Sequence, residues 1–256
     1  MTANSENYIR KLVEEGSRIG QRKFDEFRTI TIEKGVIKTA EGSARVKIGN
    51  THVIVGIKMS VGTPFPDTPD EGILIVNGEL LPLASPDFEP GPPSEDAIEL
   101  ARVVDRGIRE SKAIDLGKLC ITPEEKVWII NIDIDVLDHD GNLIDAAGLG
   151  AIAALLDAKI PKYEDDKINV KEYTGSVPIV DTPIPITITK ISDKLLIDVD
   201  VEEEDAVDAK ITIATNKDGN LCAMQKGGSG YFTTEELIKA VDLSIEKGKE
   251  IRALLT

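Results

Sequence analysis

The sequence predicts an α+β fold in two pseudo-symmetric halves, each a set of strands with helices packed on one side. Three observations carry that prediction. In 127–137, Ile130, Ile132, Ile134 and Val136 alternate with Asn131, Asp133 and Asp135; this is a strand with one apolar and one polar face. An Ala/Leu-rich helical run, about 146–158, follows the Asp140-Gly141 turn. The second half repeats the plan, with strand-like runs near 184–190, 194–201 and 209–215 ahead of a C-terminal helix. The expected unit is 1–256, with a first half at about 20–160 and a second at about 165–256.

Taken in order, residues 6–16 read as a helix with Ile9, Leu12 and Val13 on one face. Residues 27–32 and 44–48 alternate as strands, and Gly49-Asn50 turns the chain into a more buried strand at 53–59. Residues 62–93 hold eight of the thirteen prolines and read as loop-rich. Within them Asn77-Gly78 predicts a hairpin between 73–76 and 80–83. A helix then starts after Pro92-Pro93, with Ser94 as N-cap and Glu95 and Asp96 in its first turn. Ala97, Ala101, Val104 and Ile108 form its apolar stripe. Pro161 closes the first half. In the second, Asp218-Gly219 turns into a strand at 221–225, and a Gly227-Gly228-Ser229-Gly230 loop leads to the last helix. Thr233 and Glu236 form its capping box.

The chain has 256 residues and a formal net charge of −16, with 46 acidic against 30 basic side chains. Such a surface repels nucleic acid as a whole, so any contact with it is local or shared with a more basic partner. Cys120 and Cys222 form no CxxC motif, and His52 and His139 are the only histidines; no Cys/His metal site and no cofactor are expected. The absence of a membrane-length apolar run or signal segment predicts a cytoplasmic chain.

Against this acidity, Arg102, Arg106 and Arg109 stand at i, i+4 and i+7 on one helix face, opposite the apolar stripe. Guanidinium forks suit phosphate, so the face reads either as a nucleic-acid backbone clamp or as a solvated surface with Arg102–Glu99 and Arg106–Glu110 pairs. Spacing alone favours the surface. The acidic run 198–205 reads either as carboxylates for Mg²⁺ or as a strand with a solvated face entering an acidic loop; the second is favoured. The 227–230 loop lacks the GxxxxGK[ST] pattern and reads as a connection needing positive φ rather than an anion cradle. His139 sits in an acidic turn, and Ser60, Ser85 and Ser111 lie in no nucleophile elbow.

Several segments in order resemble ribonuclease PH-type proteins. They are Gly20-Gln21-Arg22-Lys23-Phe24-Asp25-Glu26-Phe27-Arg28, Ala40-Glu41-Gly42-Ser43-Ala44, Gly49-Asn50-Thr51-His52-Val53 and the arginine helix Ala101 to Arg109. The strand at 128–137, the Ala-rich helix, Met224-Gln225-Lys226-Gly227 and Glu235-Glu236-Leu237 continue the likeness over nearly the whole chain. Within the family it is most similar to the non-catalytic subunit of the archaeal exosome ring. The resemblance implies a ribonuclease PH-like fold. Active members cut RNA from its 3′ end with inorganic phosphate. Their phosphate-holding Ser/Thr-Arg pair falls here on Leu143-Ile144, and their late-strand Asp on Lys210. No Arg lies between Arg109 and Lys159, whatever the register. The family's Asp-Gly before Arg22 is Gly20-Gln21, which leaves Arg22 without an assigned role. The resemblance thus implies no catalytic or metal-binding residues here. It implies that Arg102, Arg106 and Arg109 bind single-stranded RNA. It further implies a catalytic ribonuclease PH-like partner, three such pairs closing a hexameric ring, and RNA-binding cap subunits. The alternative is a self-sufficient phosphate-dependent 3′–5′ exoribonuclease.

Overall fold

In a computed structural model that describes residues 3–255, the α+β arrangement is present; residues 1, 2 and 256 of the expected unit lie outside the described residues. Helix α1 (Ala3–Glu14) comes first, followed by strands β1 (Ile30–Lys34), β2 (Gly42–Ile48), β3 (Thr51–Gly62) and β4 (Ile73–Leu80). Helix α2 (Glu95–Glu110) leads to β5 (Cys120–Thr122), β6 (Lys126–Asp138) and helix α3 (Leu143–Asp157). Then come β7 (Lys159–Glu164), β8 (Lys167–Ser176), β9 (Ile184–Ile191), β10 (Lys194–Ile197) and the one-turn helix α4 (Val201–Glu204). Strands β11 (Ala209–Thr215) and β12 (Leu221–Gly227) precede helix α5 (Thr234–Arg252).

Of the two larger sheets, one runs β1-β2-β3-β6-β4, with β5 added along β6, and the other runs β10-β9-β11-β12; β7 and β8 pair as a separate two-stranded sheet. The alternating face of β6 behaves as its sequence demands: Ile130, Ile132, Ile134 and Val136 are buried. Between the sheets lies α3, whose residues 145–155 are all buried. Its glycines make that depth possible. A Cβ on Gly148 would meet the Pro185 ring at 2.4 Å, so helix and β9 touch backbone to ring. A single core holds side chains from both sheets, such as Val46 and Val55 with Ile186 and Ile213. Helix α1 seals a smaller cluster, placing Ile9 and Val13 against Leu196, Val199 and Ala206.

The structure corrects three expectations. There is no hairpin at Asn77-Gly78: β4 passes straight through and pairs in parallel with β6, with Val76 opposite Ile132. The glycine serves helix packing, since a Cβ on Gly78 would stand 3.3 Å from the Ala97 carbonyl of α2. Asn77 donates to Asp133 Oδ1 at 3.2 Å instead of turning the chain. Pro161 lies inside the β7–β8 hairpin. That hairpin turns at Asp165-Asp166, both at positive φ (50° and 59°), as a two-residue loop between antiparallel strands prefers. The strand expected from residue 27 begins at Ile30, because Arg28 turns both its backbone N–H and its side chain to Asp198. The strand expected to reach 201 ends at Ile197, where Asp198 adopts φ 47° and leaves the sheet.

Candidate functional site

The arginine helix forms as read. Ser94 Oγ accepts from the Ala97 N–H at 3.2 Å, and Ala97, Leu100, Ala101, Val104 and Ile108 are buried. The three arginines share a groove of about 390 Å³ between α2 and β4 but are not equivalent within it. Arg102 is exposed and makes no hydrogen bond or ion pair among the described residues. Arg106 is half-buried, and its Nη1 donates to Gln225 Oε1 of β12 at 2.7 Å. Arg109 is tied down: Nε and Nη2 donate to the Asp105 carboxylate at 3.1 and 2.6 Å, and Nη2 also donates to the Leu74 carbonyl. The expected Arg102–Glu99 and Arg106–Glu110 pairs do not form; the nearest cation to Glu99 is Lys210, at 3.7 Å. The available positive charge is therefore concentrated at Arg102 and Arg106, beside Gln225.

A second hollow, about 420 Å³, opens at the N-terminus of α3. Leu143 and Ile144 line it from the helix, and Lys210 lines it from β11. The positions expected to depart from the active pattern are distant in sequence yet line one cavity. His139 stacks on Phe88 with ring centroids 5.2 Å apart, and its Nε2 lies 3.8 Å from Glu204 Oε2. Burial pushes the Glu204 carboxyl up from its ordinary value, partly offset by the hydrogen bond from the Asn142 N–H. Among the described residues no cluster of three or more His, Cys, Asp or Glu side chains is placed to hold a metal ion.

The acidic run is corrected most. Two of its carboxylates, Asp198 and Glu203, are buried in ion pairs, while Glu202 and Asp205 stay exposed. The Asp198 side chain is fully buried and accepts from Arg28 at its backbone N (2.6 Å), Nε (2.9 Å) and Nη2 (2.7 Å). It also accepts from Arg22 Nη1 at 3.1 Å and Asn142 Nδ2 at 3.0 Å. This gives Arg22 a structural place. Burial pushes the Asp198 carboxyl up, but the hydrogen bonds and charge of Arg28 outweigh it, and the group titrates below its ordinary value. The Glu203 carboxylate pairs with Arg18, both side chains fully buried, and Arg18 also donates to the Ile197 and Asp198 carbonyls. Asp200 caps α4 in a reciprocal box with Glu203. The 227–230 loop is a connection, as favoured: Gly228 has φ 78°, and the Gly230 N–H donates to the Asp208 carbonyl at 2.8 Å.

Sequence reasoning missed Asp145. Buried in the first turn of α3, it accepts from Thr187 N at 3.1 Å and from Thr187 Oγ1 at 2.7 Å. Burial, only partly offset by these bonds, pushes it up to about 7. An acid with a raised folded pKa holds its proton in the native state while the unfolded chain has released it. Stability therefore falls as pH rises from the ordinary carboxylate range to about 7. Asp145→Asn is expected to flatten that fall, gaining about 4 kcal/mol on the wild type between pH 4 and pH 8, read by urea unfolding at both pH values.

The chain matches the model of the 3′ exoribonuclease family, domain 1, over residues 26–161, and that of domain 2 over residues 181–247. It is 53% identical over 249 residues to an exosome complex component Rrp42 from Methanocella arvoryzae, covering 97% of this chain and 94% of the relative. Its identity to the Pyrococcus abyssi protein of the same name is 51% over 253 residues, covering 97% and 92%. Among solved structures it is similar to a chain of the Archaeoglobus fulgidus exosome with RNA bound to the active site. There the TM-score is 0.93, at 47% identity, covering 99% of this chain and 98% of that one.

Proposed function

The chain belongs to the 3′ exoribonuclease family of ribonuclease PH-like proteins, and from that premise we propose that it is a non-catalytic subunit of an archaeal exosome, a phosphorolytic 3′–5′ RNA-degrading complex. One observation carries the non-catalytic reading. Leu143, Ile144 and Lys210 line a single cavity, so the side chains expected to hold phosphate and to aid the leaving 3′ oxygen are replaced together in space. In this reading the chain pairs with a catalytic ribonuclease PH-like subunit, three pairs close a hexameric ring, and RNA-binding cap subunits sit upon it. The halves at about 20–160 and 165–256 act as one unit, a reading supported by their shared core. Work in the cytoplasm follows from the same reading; among the described residues no helix is long and apolar enough to cross a membrane.

Arg102, Arg106 and Arg109 supply the RNA contacts in this proposal, through phosphates rather than base edges. The geometry ranks them: Arg102 and Arg106 meet the strand, while Arg109 mainly fixes α2 to β4 and offers a partly neutralised charge. The acidic remainder of the surface keeps RNA from other positions.

The deciding experiment supplies single-stranded RNA and inorganic phosphate to the purified chain, to the catalytic partner and to their mixture. The chain alone is expected to release no nucleoside diphosphate, and the mixture is expected to exceed the partner alone. Diphosphate release by the chain alone overturns the proposal in favour of a self-sufficient exoribonuclease. Absence of any gain on mixing removes the ring role.

A further inference from the structure

We infer that the Glu204 carboxyl group, seated on the N-terminus of α3, closes the cavity there to inorganic phosphate. A helix of 15 residues presents unpaired N–H groups and a partial positive charge at its start, where an anion is favoured. The N-cap residue does not supply it. Asn142 lies at φ 56° and makes no side-chain cap; its carboxamide is turned to Asp198 at 3.0 Å. The capping oxygen comes from 62 residues away, where Glu204 Oε1 accepts the Asn142 backbone N–H at 2.9 Å. Its other oxygen faces His139 Nε2 at 3.8 Å, and Lys210 stands on the wall of the same cavity. One helix terminus, one ammonium group and one imidazole thus converge on a position already filled by a carboxylate.

Glu204 is also held there. Its helix, α4, is a single turn fixed by the Asp200–Glu203 capping box and anchored by the buried Arg18–Glu203 pair. The backbone that carries Glu204 is thus fixed, and its side chain reaches from there to the Asn142 N–H. Glu204 therefore takes the Asn142 N–H that a bound phosphate would take at this terminus, and a phosphate entering would have to displace its carboxyl group. The inference deepens the non-catalytic reading and rests on it. The apolar pair Leu143-Ile144 removes side-chain donors, and Glu204 occupies the Asn142 backbone donor.

The test reads phosphate binding by the full chain alone, not RNA cleavage. Thermal midpoints are measured across a titration of inorganic phosphate, against chloride at equal ionic strength. Wild type is expected to show no phosphate-specific rise. Glu204→Ala is expected to gain a saturable rise of about 3–5 °C at roughly ten times its dissociation constant. Adding Lys210→Ala should abolish the gain. Should the alanine variant fail to fold, Glu204→Gln keeps an acceptor on the Asn142 N–H while removing the charge, and a smaller saturable rise is expected. A wild-type rise equal to that of the variants overturns the inference, as does a folded variant with none. Either result leaves the non-catalytic reading standing, because that reading fails only if the chain releases diphosphate from RNA.

Discussion

Asp198→Ala is expected to lower the unfolding free energy by about 3–5 kcal/mol, the cost of stripping the counter-charge from a buried ion pair. The carboxylate is fully buried and takes hydrogen bonds from Arg28, Arg22 and Asn142. The Arg28 and Arg22 side chains are only 11% and 14% exposed. Without Asp198, Arg28 keeps Asp140 at 3.1 Å, but Arg22 keeps only backbone carbonyls. Two guanidinium groups would then remain in a poorly solvated site with one flanking carboxylate between them. Asp198→Asn preserves shape but turns an amide toward arginine donors, so it is expected to recover only part of the loss. Urea unfolding at pH 7 measures both. The folded pKa of Asp198 is depressed, so its contribution is present above the ordinary carboxylate range. It is lost as pH falls through the still lower folded value. The gap between wild type and Asp198→Ala should therefore close in acid. A gap of under 1 kcal/mol at neutral pH would mean that the network adds nothing beyond solvated charge.

That network also shows where the sequence stops being legible. Helix α2 was readable because its cap, its first-turn acids and its apolar stripe are local. The capping box of α5 is local too, and both of its bonds form as read, Thr233 accepting from Glu236 N at 3.3 Å and Glu236 from Thr233 N at 2.7 Å. The run 198–205 carries no mark of its partners, because Arg18, Arg22 and Arg28 lie about 170–185 residues earlier. A dense acidic stretch therefore resembled a solvated loop although two of its carboxylates, Asp198 and Glu203, are buried in salt bridges. Asn77-Gly78 failed for a similar reason. The pair is a strong turn signal, but its glycine answers to the Ala97 carbonyl of a packing helix, which local sequence does not contain. The β7–β8 turn was hidden because Asp165-Asp166 takes the positive-φ positions where glycine or asparagine announces a turn. For the cavity, order along the chain singled out Leu143, Ile144 and Lys210, but only the fold joined them to Glu204.

In the assembled complex, reversing Arg102 and Arg106 to Glu is expected to weaken single-stranded RNA binding about tenfold at moderate salt and about a hundredfold at low salt. Each phosphate contact on a single strand contributes about 0.7 to the slope of log affinity against log salt, so losing two should flatten it by about 1.4. The loss should be the same for unrelated RNA sequences, because phosphate contacts carry no base identity. Arg102 lies exposed on the outer face of α2, and Arg106 gives up one bond to a Gln225 side chain, so folding stability should hold within about 1 kcal/mol. Arg109→Gln is the informative contrast. Its guanidinium is held by Asp105 and the Leu74 carbonyl, so it should cost stability where α2 meets β4 and flatten the salt slope little. An Arg109 variant that flattens the slope as much as the double reversal would show that all three arginines share the strand equally. An unchanged slope in the double reversal would leave this groove with no part in holding RNA.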